Sequence, residues 1–271
     1  MDFKHRMVRT YTAYGELGDL HTLWQNHKRM RDHTRDENGN PLNLRITRIP
    51  TVVVIYLCEA MAASVCLMAN GQLPNDQGVW NNPGTGQGDE PNPPWPHDVV
   101  HRDIKLANYF LSECRNPTRW NGLPTAALGD FGNGIDLRDP FWGNNPQICM
   151  GMGTTDCQAP EQVVTLQVPL RPMSSATNVF QVGLAMQQLM TLTAPFHQMT
   201  FDQSARPFPP VDGRFYPKDL RDLADRCIQV EPAQRPSPKA FYMRMRALAL
   251  SLPESTFTSY NDLVPWGKFD P

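Results

Sequence analysis

The side chains best suited to chemistry are concentrated in residues 99–108, which read Val-Val-His-Arg-Asp-Ile-Lys-Leu-Ala-Asn. This segment contains a carboxylate, an ammonium and an amide in Asp103, Lys105 and Asn108, and a second carboxylate follows at Asp130. Transfer of a phosphoryl group depends chiefly on positioning the reactants and neutralising charge around them. Carboxylate, ammonium and amide groups are the side chains that this chemistry requires.

The order and spacing of the motifs carry more information than any single motif. His-Arg-Asp at 101–103 and Asp-Phe-Gly at 130–132 precede Ala-Pro-Glu at 159–161, and Asn108 follows Asp103 by five residues. Any one triplet arises by chance in loops, but chance is a weak explanation for the whole set in this order. The set resembles the signature of the protein kinase family, of the Ser/Thr type.

This resemblance implies a role for each of the four side chains. Asp103 would accept the proton of a substrate hydroxyl, and Lys105 would stabilise charge on the transferred phosphate. Asn108 and Asp130 would hold Mg²⁺ through oxygen ligands. The expected cofactors are therefore ATP and Mg²⁺, and the expected phosphate acceptor is a protein substrate.

Two further segments are similar to the same family. Residues 153–161 resemble the loop that receives the peptide substrate, with Thr154 placed to touch the catalytic Asp and Lys, a combination that favours Ser/Thr specificity. Residues 232–237 resemble the segment whose arginine pairs with the glutamate of Ala-Pro-Glu, here Arg235 with Glu161. The alternative for this pair is a solvated surface contact worth about 0–1 kcal/mol instead of a buried bridge.

Residues 11–20 are similar to the hinge between the two kinase lobes, where backbone groups bind the adenine edge. Asp19 falls where a carboxylate meets the ribose, and Phe110 would form an apolar floor beneath the adenine. An open alternative is that Phe110 is an ordinary residue of a core strand. The hinge residues implicated in ATP binding are Ala13, Tyr14 and Gly15.

The sequence departs from the family in the elements that bind the phosphates of ATP. Seven residues precede Val8, and the sequence contains no G-x-G-x-x-G followed by a V-A-I-K-like strand. We therefore expect the small lobe to be missing and turnover by this chain alone to be negligible.

Two departures concern the loops. Asn178 stands where the family usually has an aspartate that anchors the catalytic loop, so the anchoring hydrogen bond lacks charge assistance. No Ser, Thr or Tyr lies between Gly132 and Thr154, which excludes the usual phosphorylation switch there. Arg102, the customary partner of that phosphate, would instead meet an aspartate at 136 or 139.

Two classes of function remain open. The first is an ATP-dependent protein Ser/Thr kinase. The second is a non-catalytic, pseudokinase-like binding or scaffold protein, whose partner would cover an exposed apolar patch where the small lobe would lie. A small-molecule phosphotransferase would not need the peptide-receiving loop, so the pairing expected for Glu161 and Arg235 argues against it.

The elements that must position these residues are mainly helical. The resemblance implies an α+β, mainly α fold, the large C-terminal lobe of a kinase with short β-hairpins at the catalytic site. It divides the chain into a hinge strand remnant (1–20), the large lobe (21–250) and a C-terminal tail (251–271). Residues 73–96 are rich in Gly, Pro and Asn and predict a flexible surface insertion.

Composition limits the partners and the compartment. Lys and Arg number 25 against 27 Asp and Glu, so we expect neither nucleic acid nor an anionic membrane as a partner. Six cysteines without a C-x-x-C pair exclude a zinc ribbon and indicate an intracellular protein, cytoplasmic or nuclear. Residues 50–70 are long enough for a membrane span, but the central Glu59 favours a buried helix instead.

Overall fold

The computed structural model describes residues 15–33, 38, 48–80, 97–112, 123–143, 150–163, 172–195 and 208–252. In these residues helices predominate, and the strands are short. The helices are α1 (Leu20–His33), α2 (Thr51–Asn70), α3 (Pro140–Gly143), α4 (Ser175–Thr191), α5 (Lys218–Cys227) and α6 (Pro238–Leu250). The strands are β1 (Val99–Val100), β2 (Tyr109–Ser112), β3 (Thr125–Leu128) and β4 (Ile135–Asp136).

Helix α2 is the centre of the hydrophobic core. It follows Pro50 and ends at Gly71, whose φ of 69° allows its N–H to bond the carbonyl of Leu67 at 2.8 Å. Its residues are mostly buried, and it packs against α4, α6 and β3. Glu59, in the middle of the helix, is compensated by Arg246 of α6 at 2.8 Å. The core therefore accommodates the one charge of this helix as an ion pair.

Helix α2 is also long and apolar enough to cross a membrane, with a mean hydropathy of 2.2 over its most apolar window. In the described part of the chain, 72% of that window is buried inside the protein. Inside the protein this helix packs against α4, α6 and β3, which is the environment that the buried-helix prediction requires.

The strands form two antiparallel pairs that bring two loops together. Strand β1 pairs with β4 and strand β2 pairs with β3. Residues 101–108 connect β1 to β2, and residues 129–134 connect β3 to β4. Both loops are therefore fixed side by side at both of their ends. Among the described strands, β2 pairs with the next strand along the chain, β3, whereas β1 pairs with β4 from either side of them and forms no hairpin with it.

Helix α4 lies against the loop of residues 101–108. Ser174 caps it by accepting the N–H of Ala176 at 3.2 Å. Gly183 lets α5 approach closely, since a Cβ at this position would lie 2.6 Å from the Cβ of Cys227. The helix buries polar side chains against the loop of residues 101–108, including Asn178 and Gln181.

The first part of the predicted flexible insertion is packed against the core. Pro74 and Trp80 form an isolated β-bridge, and Trp80 is only 5% exposed. Asp76 bonds Arg246 at 2.8 Å, and Lys239 lies over the Trp80 ring. Burial of the large indole holds residues 73–80 against the core, and flexibility of the insertion as a whole stays a prediction. Residues 81–96 lie outside the described residues.

The ends of the predicted domains are described only in part. Residues 15–20 are described, whereas residues 1–14 of the predicted hinge remnant lie outside the described residues. Helix α6 ends at Leu250, and residues 253–271 of the predicted tail are likewise outside them.

Candidate active site

Asp103, Lys105 and Thr154 form a closed ring of hydrogen bonds. The Nζ of Lys105 lies 3.0 Å from Oδ2 of Asp103 and 2.7 Å from Oγ1 of Thr154. The backbone N–H of Thr154 donates to the other carboxylate oxygen, Oδ1, at 2.8 Å. Thr154 therefore contacts Lys105 and Asp103, although they lie 49 and 51 positions before it in the sequence.

The ring of contacts controls the ionisation of Asp103. Burial acts to raise the pKa of this carboxyl, but hydrogen bonds from Thr154 and Lys105 outweigh burial and leave the pKa below its ordinary value. The carboxylate form therefore prevails at neutral pH, which is the form that can accept a proton.

Asn108 links the Asp103 loop to the Asp130 loop. Its side-chain Nδ2 donates to the backbone carbonyl of Asp103 at 2.8 Å. The backbone carbonyl of Asn108 accepts the N–H of Gly129, the residue before Asp130, at 2.9 Å. Asp130 is exposed and has a left-handed backbone with φ 58°. The side chain of Asn108 and the carboxylate of Asp130 thus belong to adjoining segments.

These two residues fit the requirements of Mg²⁺. Because the amide nitrogen of Asn108 faces the Asp103 carbonyl, its oxygen is the atom available to a cation. Mg²⁺ prefers oxygen ligands and is bound through one or two protein groups plus phosphates and water. In the described ranges, no group of three or more His, Cys, Asp or Glu forms a metal cage.

His101 connects the loop that contains Asp103 to the loop that contains Asp130. It is fully buried, and its Nε2 lies 2.9 Å from the carbonyl of Gly129. Its Nδ1 accepts the N–H of Asp103 at 3.3 Å. Its ring packs against the Phe131 ring, with 4.7 Å between the two ring centroids. Burial lowers the pKa of His101, so the neutral ring donates from one nitrogen and accepts at the other.

Asn178 uses both ends of its amide. The oxygen accepts the N–H of His101 at 3.0 Å, and the nitrogen donates to the carbonyl of Val99 at 2.8 Å. An aspartate could make only the first of these bonds. The loss of charge assistance predicted from the sequence is therefore offset by a second bond.

Arg102 has a strained backbone next to the ring. Its φ is 68°, a left-handed conformation that costs a residue other than glycine about 1–3 kcal/mol. Its Nε donates to the carbonyl of Asn133 at 2.5 Å. Gly153 packs against its carbonyl so closely that a Cβ there would lie 2.3 Å from the oxygen. Position 153 therefore requires glycine.

The predicted contact of Arg102 with an aspartate remains a prediction. Asp136 accepts the backbone N–H of Asp98 at 3.0 Å, and Asp139 accepts that of Phe141 at 2.8 Å. Asp136 thus joins β4 to the segment that precedes β1, whereas Asp139 orders a turn in its own segment.

Glu161 and Arg235 form a buried, bidentate ion pair. The two nitrogen–oxygen distances are 2.6 and 3.0 Å, and both side chains are 0% exposed. Thr177 donates its hydroxyl to Glu161 at 2.8 Å. The solvated alternative does not apply, because every guanidinium nitrogen is bonded. The remaining acceptors of Arg235 are the carbonyls of Ala176, Gln229 and Val230.

The predicted hinge residues that the structure describes lie along β2. Leu17 donates to the carbonyl of Leu111 at 3.0 Å, and Asp19 forms a β-bridge with Phe110. The carboxylate of Asp19 accepts the N–H of Thr22 at 2.8 Å, at the start of α1. Ala13 and Tyr14 lie outside the described residues, which include Gly15.

Phe110 points away from the core. Tyr109 and Leu111 beside it are 0% exposed, whereas Phe110 is half-buried. Its side chain lies between two glycines, since a Cβ at Gly15 or Gly129 would come within 2.9 or 2.7 Å of it. Phe110 thus lies beside Gly15 and Gly129, and its role as a floor beneath the adenine stays a prediction.

Several glutamines near the ring had no role in the sequence analysis. Gln158 donates to the carbonyl of Met152 at 3.0 Å, and Gln162 and Gln181 both donate to the carbonyl of Arg102. Their spacing follows no pattern that marks a site. His101 was likewise given no role, although its place in the His-Arg-Asp triplet was a usable signal.

Several known protein kinases resemble part of this chain. It is 31% identical over 156 residues to serine/threonine-protein kinase Nek5 of Mus musculus, a match covering 55% of this chain and 22% of the relative. It is 27% identical over 204 residues to dual specificity protein kinase shkE of Dictyostelium discoideum, covering 65% and 25%. It is 29% identical over 150 residues to mitogen-activated protein kinase kinase kinase 4 of Homo sapiens, covering 51% and 8%.

The chain thus matches a quarter or less of the length of each of these relatives. Residues 95–245 match the family model of the protein kinase domain. This range contains the ring of Asp103, Lys105 and Thr154 and the buried ion pair. The match covers more than half of the 271 residues, and the chain belongs to the protein kinase family.

Proposed function

We propose that this chain is the catalytic region of a Ser/Thr protein kinase, which transfers the γ-phosphoryl group of ATP to a hydroxyl of a protein substrate. The observation that carries the proposal is the closed ring of Asp103, Lys105 and Thr154. It joins a carboxylate of lowered pKa, a cation and a loop suited to a peptide. Family membership alone would not establish activity.

Each member of the ring has a separate task. Asp103 orients the substrate hydroxyl and accepts its proton, since its carboxylate is held ionised. Lys105 provides positive charge beside that carboxylate. Thr154 holds both groups in place and fixes the position of the loop that would carry the substrate. Bound MgATP supplies the phosphoryl group and the metal charge that neutralises it.

Asn108 and Asp130 would hold the metal through their side-chain oxygens. Phe110 would form the apolar floor for the adenine, next to the hinge segment that ends at Asp19. Phe110 is half-buried and pairs with Asp19, so the two lie side by side. Backbone groups of residues 13–15 would bind the adenine edge.

Ser/Thr specificity is supported by the contact between Lys105 and the hydroxyl of Thr154 at 2.7 Å. Of the relatives described above, Nek5 of Mus musculus is a serine/threonine-protein kinase by name, and shkE of Dictyostelium discoideum is a dual specificity protein kinase. We therefore place serine and threonine first among the acceptors.

The test is phosphotransfer from labelled ATP with Mg²⁺ to peptides containing Ser, Thr or Tyr, using the native protein expressed from its complete transcript. Asp103→Asn should lower the rate about 100-fold or more. Asp219→Asn, an exposed carboxylate in the first turn of α5, is the matched control and should leave the rate unchanged. A wild-type protein without transfer, or an Asp103→Asn variant with full activity, would refute the proposal.

A second candidate is a non-catalytic binding protein. It is favoured by two exposed apolar side chains, Leu17 beside β2 at 37% and Phe131 beside His101 at 48%. The same assay separates the two functions. A binding protein gives no labelled peptide with any variant.

A further inference from the structure

Two glutamines hold the backbone carbonyl that precedes Asp103. The Nε2 atoms of Gln162 and Gln181 donate to the carbonyl of Arg102 at 2.8 and 3.1 Å. Both glutamines are almost completely buried, at 0% and 1% exposure. We call this pair the glutamine clamp.

The other bonds of the clamp reach the substrate loop, residues 150–163. Gln162 accepts the N–H of Ala159 at 2.9 Å. Gln181, on helix α4, donates to the carbonyl of Cys157 at 3.0 Å and accepts the N–H of Ile104 at 3.3 Å. A single side chain therefore bonds the backbone on both sides of Asp103 and also the loop that contains Thr154.

The clamp acts where the backbone is least tolerant of movement. Arg102 has a left-handed backbone, and its carbonyl is in contact with Gly153, next to Thr154. Rotation of this peptide would shift Asp103 relative to the N–H of Thr154, which it accepts at 2.8 Å. A buried amide bonded at both ends resists such a rotation because its loss leaves buried polar groups unpaired.

The clamp consists of neutral groups. No Ser, Thr or Tyr lies between Gly132 and Thr154, so a phosphorylated side chain from that segment cannot order the loop. Amide hydrogen bonds need no modification and no change in protonation.

We propose that Gln162 and Gln181 are positioning residues that keep the substrate loop in register with Asp103 without a phosphorylated side chain. Their effect on catalysis rests on the proposed kinase function, whereas their effect on the loop does not. The two effects therefore require separate measurements.

The first measurement is hydrogen–deuterium exchange of residues 150–163 in wild type, Gln162→Met and Gln181→Met. Gln187→Met is the matched control, because Gln187 is 2% exposed on the same helix and bonds Asp225 of α5 at 2.8 Å. We expect exchange in the loop to become about tenfold faster in both clamp variants and to stay unchanged in the control. Unchanged exchange in the clamp variants, or an equal increase in the control, would overturn the proposal.

The second measurement is peptide phosphorylation by the native protein. A misplaced loop should lower kcat/KM for the peptide roughly 10- to 100-fold in the clamp variants. The KM for ATP should stay unchanged, which general destabilisation would not produce. If the wild type transfers no phosphate, the proposed function fails, and loop exchange still decides whether the clamp holds the loop. Clamp variants with wild-type peptide kinetics in an active enzyme would contradict a positioning role.

Discussion

The Glu161–Arg235 pair and the ring of Asp103, Lys105 and Thr154 both join a carboxylate to a cation, but they differ in how far they are closed to solvent. Both side chains of the pair are 0% exposed, whereas those of Lys105 and Asp103 are 27% and 7% exposed. The charges of the Glu161–Arg235 pair are completely bonded within the protein. Charges proposed to act on a substrate keep one side open to it.

Breaking the buried pair should have the largest effect on stability. Arg235→Met leaves Glu161 as an unpaired buried carboxylate, and we expect the free energy of unfolding to fall by about 3–5 kcal/mol. Urea denaturation measures this loss. Arg214→Met is the control, because Arg214 pairs with Asp212 at a position where its side chain is 76% exposed, and it should leave the free energy of unfolding nearly unchanged. Equal losses in the two variants would contradict the comparison.

His27 sharpens the comparison, because it is an ionisable side chain buried without a hydrogen-bond partner among the described residues. It is 2% exposed, and neither ring nitrogen has such a partner there. Burial lowers its pKa from 6.5 to about 4. Between these values the unfolded chain binds the proton and the folded protein does not, so stability is lost as the pH falls through this window.

We expect a contribution of about 2 kcal/mol from His27 between about pH 7 and about pH 5. Urea denaturation of wild type and His27→Leu at both pH values measures it. The variant should lose less stability on acidification by that amount. Since the lowered pKa of His101 affects both proteins, the difference isolates His27. An identical pH dependence would show that His27 is hydrated or partnered in solution.

The smallest effect concerns a neutral anchor of the catalytic loop. Asn178→Asp keeps an acceptor for the N–H of His101 but loses the donor to the carbonyl of Val99, now at 2.8 Å. We expect a loss of about 1 kcal/mol in unfolding free energy, since charge assistance to the first bond compensates in part. Asn178→Ala, which loses both bonds, should cost more. A stabilised Asn178→Asp would show that the bond to Val99 contributes nothing.

The loops of the site were the most predictable part of the fold. Their motifs specify which side chains must converge, and two strand pairs bring the loops together as that convergence requires. The helix between Pro50 and Gly71 was also predictable, because a proline and a glycine mark its ends. These features depend on local sequence signals.

The parts that the sequence analysis missed depend on distant contacts. The burial of Trp80 requires α6, which follows much later in the chain, so residues 73–80 gave only turn signals. The clamp joins glutamines from the substrate loop and from α4 to a carbonyl of the catalytic loop. Because that acceptor is a backbone group, no side-chain pattern identifies it.

The most direct test of the account measures phosphotransfer and unfolding on the same Asp103→Asn variant of the native protein. The account predicts a loss of transfer of about 100-fold or more with a change in unfolding free energy under about 1 kcal/mol. Such a result places Asp103 in the chemistry and not in the support of the fold. A large loss of stability with an unchanged rate per folded molecule would contradict it and make the ring a structural contact like the Glu161–Arg235 pair.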